Sequence, residues 1–77
     1  MDKLRVGIIG TGGIAHAHMR AYAQMPDVEV VAGSDIIPGK ARAFFDEFNL
    51  PDAVCFTDTQ EMLHKMQLDA VSVCTYN

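Results

Sequence analysis

The sequence has no tryptophan, two cysteines, three prolines and six basic residues. Two cysteines, Cys55 and Cys74, are too few for a disulfide framework or a zinc knuckle, so we expect free thiols and a cytoplasmic location. The ten acidic residues give a formal net charge of −4, which argues against nucleic acid as a partner. A membrane-spanning helix needs about 20 nearly continuous apolar residues, and no such run exists. A globular domain therefore fits best.

Short apolar runs alternate with helical periods along the chain. Strands are predicted at residues 4–9, 28–33, 53–56 and 70–74, and helices at residues 13–25, 38–48 and 59–66. The runs are almost continuously apolar, which is typical of parallel strands covered on both faces. The sequence predicts an α/β fold over residues 1–77, a Rossmann-like half with the element order β-α-β-α-β-α-β. Its four-stranded parallel sheet is expected in the order 3-2-1-4.

Each predicted helix has an apolar face at spacings of three and four. The predicted core faces are Ala15, Met19, Tyr22 and Met25 in the first helix, Ala41, Phe44, Phe45 and Phe48 in the second, and Met62, Leu63 and Met66 in the third. Pro38 suits the first turn of the second helix, and Asn49 is a plausible stop. Asp58 with Glu61 predicts the cap of the third helix.

A glycine-rich segment joins the first strand to the first helix. Residues 10–15 read Gly-Thr-Gly-Gly-Ile-Ala and fit the pattern G-x-G-x-x-G/A. Gly10 permits a tight turn, Gly12 lets a pyrophosphate approach the backbone, and Ala15 lets helix and strand pack closely. The amides of Gly12, Gly13 and Ile14 would then face an anion at a helix N-terminus. The plainer interpretation is a flexible turn between strand and helix.

A single acidic residue, Asp35, follows the second strand, 25 residues after Gly10. A carboxylate at this place can accept hydrogen bonds from both ribose hydroxyls of an adenosine, and it would repel a 2′-phosphate. No arginine follows it directly, so the sequence favours NAD over NADP. Taken alone, Asp35 reads as a solvated turn residue; together with the glycines it indicates a dinucleotide site.

Three segments carry a family resemblance. Residues 10–15 with His18, residues 30–35 and residues 68–75 resemble the N-terminal part of the Gfo/Idh/MocA oxidoreductases. The resemblance implies that Gly10 and Gly12 bind the pyrophosphate and that an acid matching Asp35 binds the adenine ribose. Thr75 and Asn77 match the first and third residues of a Thr-Pro-Asn segment that lines the dinucleotide, while Tyr76 stands in place of the proline.

The resemblance also implies what lies beyond these residues. The family continues into a Glu-Lys-Pro segment with a catalytic lysine, two more strands and a substrate domain. We therefore expect a cofactor-binding part of an oxidoreductase that acts on a sugar-like or cyclitol hydroxyl, without catalytic residues of its own. No metal site is expected, since His16 and His18 point about 200° apart on a helix. The predicted cofactor-binding residues are Gly10, Thr11, Gly12, Gly13, Ile14, Asp35, Thr75 and Asn77.

Two other functions remain open. In the order 3-2-1-4 the fourth strand is an apolar edge carrying Val71, Val73 and Cys74, and exposed edges of this kind pair with other chains. This favours a homo-oligomer, or a non-catalytic α/β module that self-associates. Methyltransferase-like adenosine binders also place glycines after the first strand and an acid after the second. The G-x-G-x-x-A spacing argues against that class.

Overall fold

A computed structural model describes residues 3–75 and shows strands alternating with helices throughout. The elements are β1 (Leu4–Ile9), α1 (Gly13–Ala23), β2 (Val28–Ser34), α2 (Lys40–Glu47), β3 (Val54–Phe56), α3 (Thr59–Lys65) and β4 (Ala70–Val73). The predicted element order is therefore confirmed. None of the helices within residues 3–75 combines the length and the apolar character that crossing a bilayer requires.

The four strands form one parallel sheet in the order β3-β2-β1-β4, as predicted. In this sheet Ile9 pairs with Ser34 on one side and with Val73 on the other. The carboxyl ends of β1, β2 and β4 therefore lie next to one another. The residues that follow these strands therefore meet at the carboxyl end of the sheet. They are the glycine loop, Asp35 and Cys74.

Apolar residues cover both faces of the sheet. One cluster is built from β1, α1 and α2, and its fully buried members include Ile8, Ala15 and Phe45. The second cluster joins Ala32 of β2 to Phe56 and to Met62 of α3. The apolar face predicted for α2 is confirmed as core: Ala41, Phe44 and Phe45 are buried, and Phe48 packs against the cluster that contains the two phenylalanines.

Three predictions about the helices are wrong in detail. α1 ends at Ala23, so Met25 lies beyond it and is 45% exposed. α2 begins at Lys40 and not at Pro38, because Gly39 has a left-handed φ of +83° that does not fit inside a helix. Leu63 of α3 is 45% exposed, because that short helix buries Met62 against the sheet and turns its next residue outward.

The helix ends explain how two predicted stop and start signals work. Asn49 has a left-handed φ of 57°, and the amides that follow α2 bond back to Asp46 and Phe45, which closes the helix in a Schellman motif. Asp58 caps α3 by accepting hydrogen bonds from the amides of Gln60 and Glu61. Glu61 thus contributes its amide to the cap, while its carboxylate lies 3.9 Å from Lys65 Nζ.

Candidate functional site

Gly10 makes the turn that leads out of β1. Its φ is +87°, which glycine adopts without strain, and its amide donates to the Ser34 carbonyl at 2.8 Å. A Cβ at this position would lie 2.9 Å from Thr75 Cγ2 and 3.1 Å from the carbonyl oxygen of Cys74. The turn predicted at Gly10 is confirmed, and the absence of a side chain lets the segment after β4 pack against it.

The loop ends at the N-terminus of α1. The N-cap residue is Gly12, so no N-cap side chain accepts a hydrogen bond from the first amides of the helix. The first amides of a helix have no acceptor within it, and those of Gly13 and Ile14 occupy these positions. A Cβ built on Gly13 meets no atom within 4 Å, so the space beside it is open. Ala15 is fully buried against the sheet, as its small size predicted. This end of α1 can receive an anion.

Asp35 turns its carboxylate toward the glycine loop. Its Oδ2 accepts hydrogen bonds from the Thr11 amide at 3.0 Å and the Thr11 hydroxyl at 2.7 Å, and its Oδ1 accepts one from the Ile37 amide at 3.0 Å. Thr11 is buried, and the Asp35 side chain is 8% exposed. Asp35 is therefore held in place and is not a solvated turn residue.

The surroundings of Asp35 keep its carboxylate ionised. Burial by itself would raise the pKa of Asp35, but the hydrogen bonds from Ile37 and Thr11, together with the Lys40 ammonium, lower it below the usual value. The Lys40 Nζ lies 3.9 Å from Asp35 Oδ2. An ionised carboxylate has about four acceptor positions, and three are used here, so it can still accept a hydrogen bond from a ligand hydroxyl.

A cleft of about 290 Å³ opens between the glycine loop and the segment after β2. Several predicted site residues line it: Gly10, Gly12, Asp35 and Thr75. The cleft is also lined by four residues that were not among the predicted site residues: Ile36, Ile37, Lys40 and Thr59. Asn77, the last predicted site residue, lies outside the described residues.

Three further side-chain contacts border the site. His16 Nδ1 lies 3.0 Å from the Gly12 carbonyl oxygen, which can only accept, so this nitrogen is the donor. His16 Nε2 lies 3.2 Å from Glu47 Oε2, which ties the start of α1 to the end of α2. Within the lining of the cleft, the hydroxyls of Ser34 and Thr59 form a hydrogen bond of 2.8 Å. Sequence reasoning missed the contacts of His16 with Glu47 and of Ser34 with Thr59, because these partners lie 31 and 25 residues apart and no local pattern marks them.

The cysteines and histidines form no second centre among residues 3–75, where no cluster of three His, Cys, Asp or Glu side chains is placed to hold a metal ion. Both cysteines are free thiols. The prediction that places Cys74 with Val71 and Val73 on the exposed edge is wrong: exposure alternates along this segment, and Cys74, like Ser72, is buried, with 3% of its surface exposed. Burial raises the pKa of the Cys74 thiol.

Residues 4–77 match the family model described as "Oxidoreductase family, NAD-binding Rossmann fold", of the Gfo/Idh/MocA group. The chain belongs to the Gfo/Idh/MocA oxidoreductase family. It forms an NAD-binding Rossmann domain of that family, so the predicted resemblance and the predicted cofactor, NAD, are both confirmed. This membership also decides against the methyltransferase-like alternative.

Two dehydrogenases are similar to this chain over nearly its whole length. D-glucoside 3-dehydrogenase of Escherichia coli is 37% identical over 77 residues, and inositol 2-dehydrogenase of Salmonella typhimurium is 32% identical over 75 residues. These alignments cover 99% and 96% of this chain but 21% and 22% of the relatives, so the chain spans about a fifth of their length.

A solved structure in the family shows the same fold around a cofactor. The myo-inositol dehydrogenase of Lactobacillus casei, in complex with NAD(H) and myo-inositol, superposes with a TM-score of 0.83 at 33% identity. The match covers 96% of this chain and 22% of that one. The Rossmann architecture described above is therefore shared with a dehydrogenase that holds NAD(H).

Proposed function

We propose that this domain binds NAD in the cleft between the glycine loop and Asp35, through the pyrophosphate and the adenosine half. The observation that carries the proposal is the junction of Asp35 with the loop, in which Thr11 donates twice to one carboxylate oxygen. This junction puts an ionised acceptor beside a helix N-terminus, the two features that a nucleotide with a ribose and a diphosphate needs.

The pyrophosphate is assigned to the N-terminus of α1. The amides of Gly13 and Ile14 lack helical acceptors by their position, and the open space beside Gly13 admits a ligand close to the backbone. The helix dipole adds a favourable field for negative charge. No acidic side chain stands in the first turn of α1 to oppose it.

The adenine ribose is assigned to Asp35. Its hydrogen bonds to Thr11 and Ile37 fix the carboxylate before any ligand arrives, so binding does not have to order it. Ile36, 87% exposed, and Ile37, 53% exposed, stand beside it and offer an apolar surface to the base. Thr75 closes the other side of the cleft. Asn77, outside the described residues, is proposed as a further cofactor-binding residue.

Calorimetric titration of the 77-residue chain with millimolar NAD⁺ tests the proposal. Asp35→Asn keeps the shape of the side chain but removes its charge, and we expect NAD⁺ affinity to fall about tenfold, as for loss of a hydrogen bond to a charged group. The matched control is Asp52→Asn, which removes the same charge from an exposed residue outside the cleft.

Two results would contradict this assignment. One is the absence of any binding heat while circular dichroism shows an intact fold. The other is an equal loss of affinity in both variants, which would mean that overall charge, and not the position of Asp35, governs binding.

The reaction class follows from the relatives and remains a proposal for this chain. The named relatives are dehydrogenases of inositols and of a D-glucoside, so we propose a parent activity on a sugar-like or cyclitol hydroxyl. We assign residues 1–77 to one dinucleotide-binding domain and expect binding without turnover, since they correspond to about a fifth of the relatives' length. The free thiols Cys55 and Cys74 support a cytoplasmic location.

Self-association is a second candidate function, favoured by the β4 edge, meaning the outer side of Ala70–Val73. β4 is the last strand in the sheet, and among residues 3–75 no strand pairs with its outer side. Val71 is 40% exposed and Val73 is 64% exposed. Such an edge is a template for strand pairing, so we propose a homo-oligomer formed through it. A monomeric mass by sedimentation at tens of micromolar would contradict this.

A further inference from the structure

A histidine of α1 contacts the backbone of the glycine loop directly. His16 lies one turn after the N-cap residue, and its Nδ1 donates to the Gly12 carbonyl oxygen at 3.0 Å. The Ala15 amide donates to the same oxygen at 3.1 Å. Residue 12 has no side chain that could fix this part of the loop, so the side chain of residue 16 supplies one of the donors that hold the N-cap peptide group.

The direction of the Gly12 carbonyl sets the direction of an amide at the cleft. A peptide group is planar and trans, so its C=O and N–H bonds point in opposite directions. The Gly12 carbonyl points along α1 toward His16, so the Gly13 amide of the same peptide group points out of the helix N-terminus. This amide is one of the two assigned to the pyrophosphate, and the space beside Gly13 is open. A donor at residue 16 therefore aims a binding group on the other side of the peptide plane.

The second helix holds the ring that makes this contact. His16 packs edge-on against Phe44, with the ring centroids 4.9 Å apart, and its ring centroid lies 5.6 Å from that of Phe48. Its Nε2 lies 3.2 Å from Glu47 Oε2, but the Glu47 side chain is 63% exposed, and a contact so open to water contributes little to stability. The aromatic contacts therefore do most to keep the ring in place, with Nδ1 facing Gly12.

We propose that His16 is a positioning residue of the NAD site, which keeps the Gly13 amide aimed at the pyrophosphate through its hydrogen bond to the Gly12 carbonyl. This inference rests on the proposed assignment of the pyrophosphate to the N-terminus of α1. His16 does not line the cleft, so it acts through the peptide group and not on the nucleotide. Holding that group before the ligand arrives lowers the ordering cost of binding.

Two variants separate the hydrogen bond from the packing. His16→Phe keeps a ring against Phe44 and Phe48 but has no donor, whereas His16→Asn loses the ring and keeps an amide nitrogen at the position of Nδ1. By calorimetry, NAD⁺ affinity should fall about fivefold in His16→Phe, the order for one neutral hydrogen bond, and should be retained in His16→Asn. Stability in urea should follow the opposite order, because His16→Asn loses the aromatic contacts.

The motion of the Gly13 amide is a separate readout that needs no nucleotide. The heteronuclear proton–nitrogen Overhauser effect of this amide measures motion on the picosecond to nanosecond timescale. We expect it to fall in His16→Phe and to be retained in His16→Asn. His64→Phe is the matched control, because it makes the same replacement at an exposed histidine of α3 outside the cleft. If the larger ring prevents folding, His16→Leu, which also lacks a donor, takes its place.

The two readouts separate the role of His16 from the proposed function. Unchanged NAD⁺ affinity in His16→Phe, affinities that follow stability across the variants, or an unchanged Overhauser effect at Gly13 would each overturn the role of His16 while leaving NAD binding intact. A folded wild-type chain that binds no NAD⁺ would overturn the proposed function itself.

Discussion

Two regions of the domain differ in how many of their polar and apolar groups have partners within the chain. One is the carboxyl ends of β1 and β2, and the other is the β4 edge. At the carboxyl ends, Asp35 accepts three hydrogen bonds, the Gly10 amide bonds to Ser34, and Ser34 bonds to Thr59. At the β4 edge, on one of the two outer strands of the sheet, Val73 is exposed to water over 64% of its surface. In the first region the side chains are held by partners within the chain, whereas among residues 3–75 no strand pairs with the outer side of β4.

The difference indicates two ways in which this domain meets other molecules. A site whose side chains are already hydrogen-bonded can hold a small ligand without a large ordering cost, and the loop at Thr11 has this property. An edge strand offers unpaired backbone and apolar surface, which suit another strand. Perturbing the first region should therefore change stability and NAD binding, whereas perturbing the second should change assembly.

Gly10→Ala is expected to have the largest effect. An alanine at position 10 must adopt a φ of +87° and place its methyl group 2.9 Å from Thr75 Cγ2. We therefore expect the unfolding free energy to fall by about 2–3 kcal/mol. Urea denaturation measures this change. The control is Gly39→Ala, which has a similar φ of +83° but no atom within 4 Å of the new methyl group.

Gly39→Ala therefore isolates backbone strain and should cost about 1 kcal/mol. The excess in Gly10→Ala measures the close contact between the loop and the segment after β4. Equal losses in the two variants would show that this contact imposes no constraint on the turn.

The pH dependence of stability should come next in size. The pKa of Asp35 is lower in the folded chain, so the unfolded chain binds the proton more readily. The ionised Asp35 carboxylate therefore adds to the unfolding free energy. This stabilisation is complete above the ordinary aspartate pKa of about 3.9 and is lost as the pH falls through the lower pKa of the folded chain. Urea denaturation between pH 5 and pH 2 should show stability converging between the wild type and Asp35→Asn as the pH falls.

Thr11→Val sharpens this test, since it removes the hydroxyl that donates to Asp35 at 2.7 Å. We expect it to lower the unfolding free energy by about 2 kcal/mol near neutral pH, within the range for a hydrogen bond to a charged group. It should also weaken the pH dependence assigned to Asp35. Thr57→Val, at an exposed threonine, is its control. A pH dependence unaltered by both Asp35→Asn and Thr11→Val would contradict the assignment.

Sequence reasoning reached the parts of the site that follow from strand order. Parallel strands in the order 3-2-1-4 bring the residues after β1 and β2 together, so Gly10 and Asp35 could be paired in advance. Lys40 was missed because its approach depends on the left-handed turn at Gly39, which periodicity does not reveal. His16 was missed because its partner Glu47 lies 31 residues away.

The same limits explain the errors in the fold. Apolar periodicity continued through Met25 and Leu63, but it does not record where a helix ends or how much of its face the sheet can cover.

The hydrogen bonds of Arg42 also could not be predicted from the sequence. Its guanidinium donates to the carbonyls of Leu50 and Ala53 at 2.7 and 3.0 Å and holds the link between α2 and β3. From the sequence, Arg42 is only a charged residue in a helix, and nothing in the pattern indicates which backbone carbonyls it contacts.

The β4 edge supplies the prediction with the smallest effect on stability. Val73→Lys changes a side chain that is 64% exposed, so unfolding free energy of the monomer should change by no more than about 0.5 kcal/mol. A lysine on an edge strand opposes pairing with a second strand, because its charge would have to be desolvated. Sedimentation velocity at tens of micromolar should therefore show the wild type associating and Val73→Lys as a monomer.

Leu63→Lys is the matched control, because it places the same charge on an exposed apolar residue of α3, a helix that packs on β2 and β3 and not on β4. Association that persists in Leu63→Lys and disappears in Val73→Lys assigns the contact to the strand edge. Loss of association in both variants would point instead to general apolar surface, and the distinction between the two regions would then rest on the ribose end of the cleft alone.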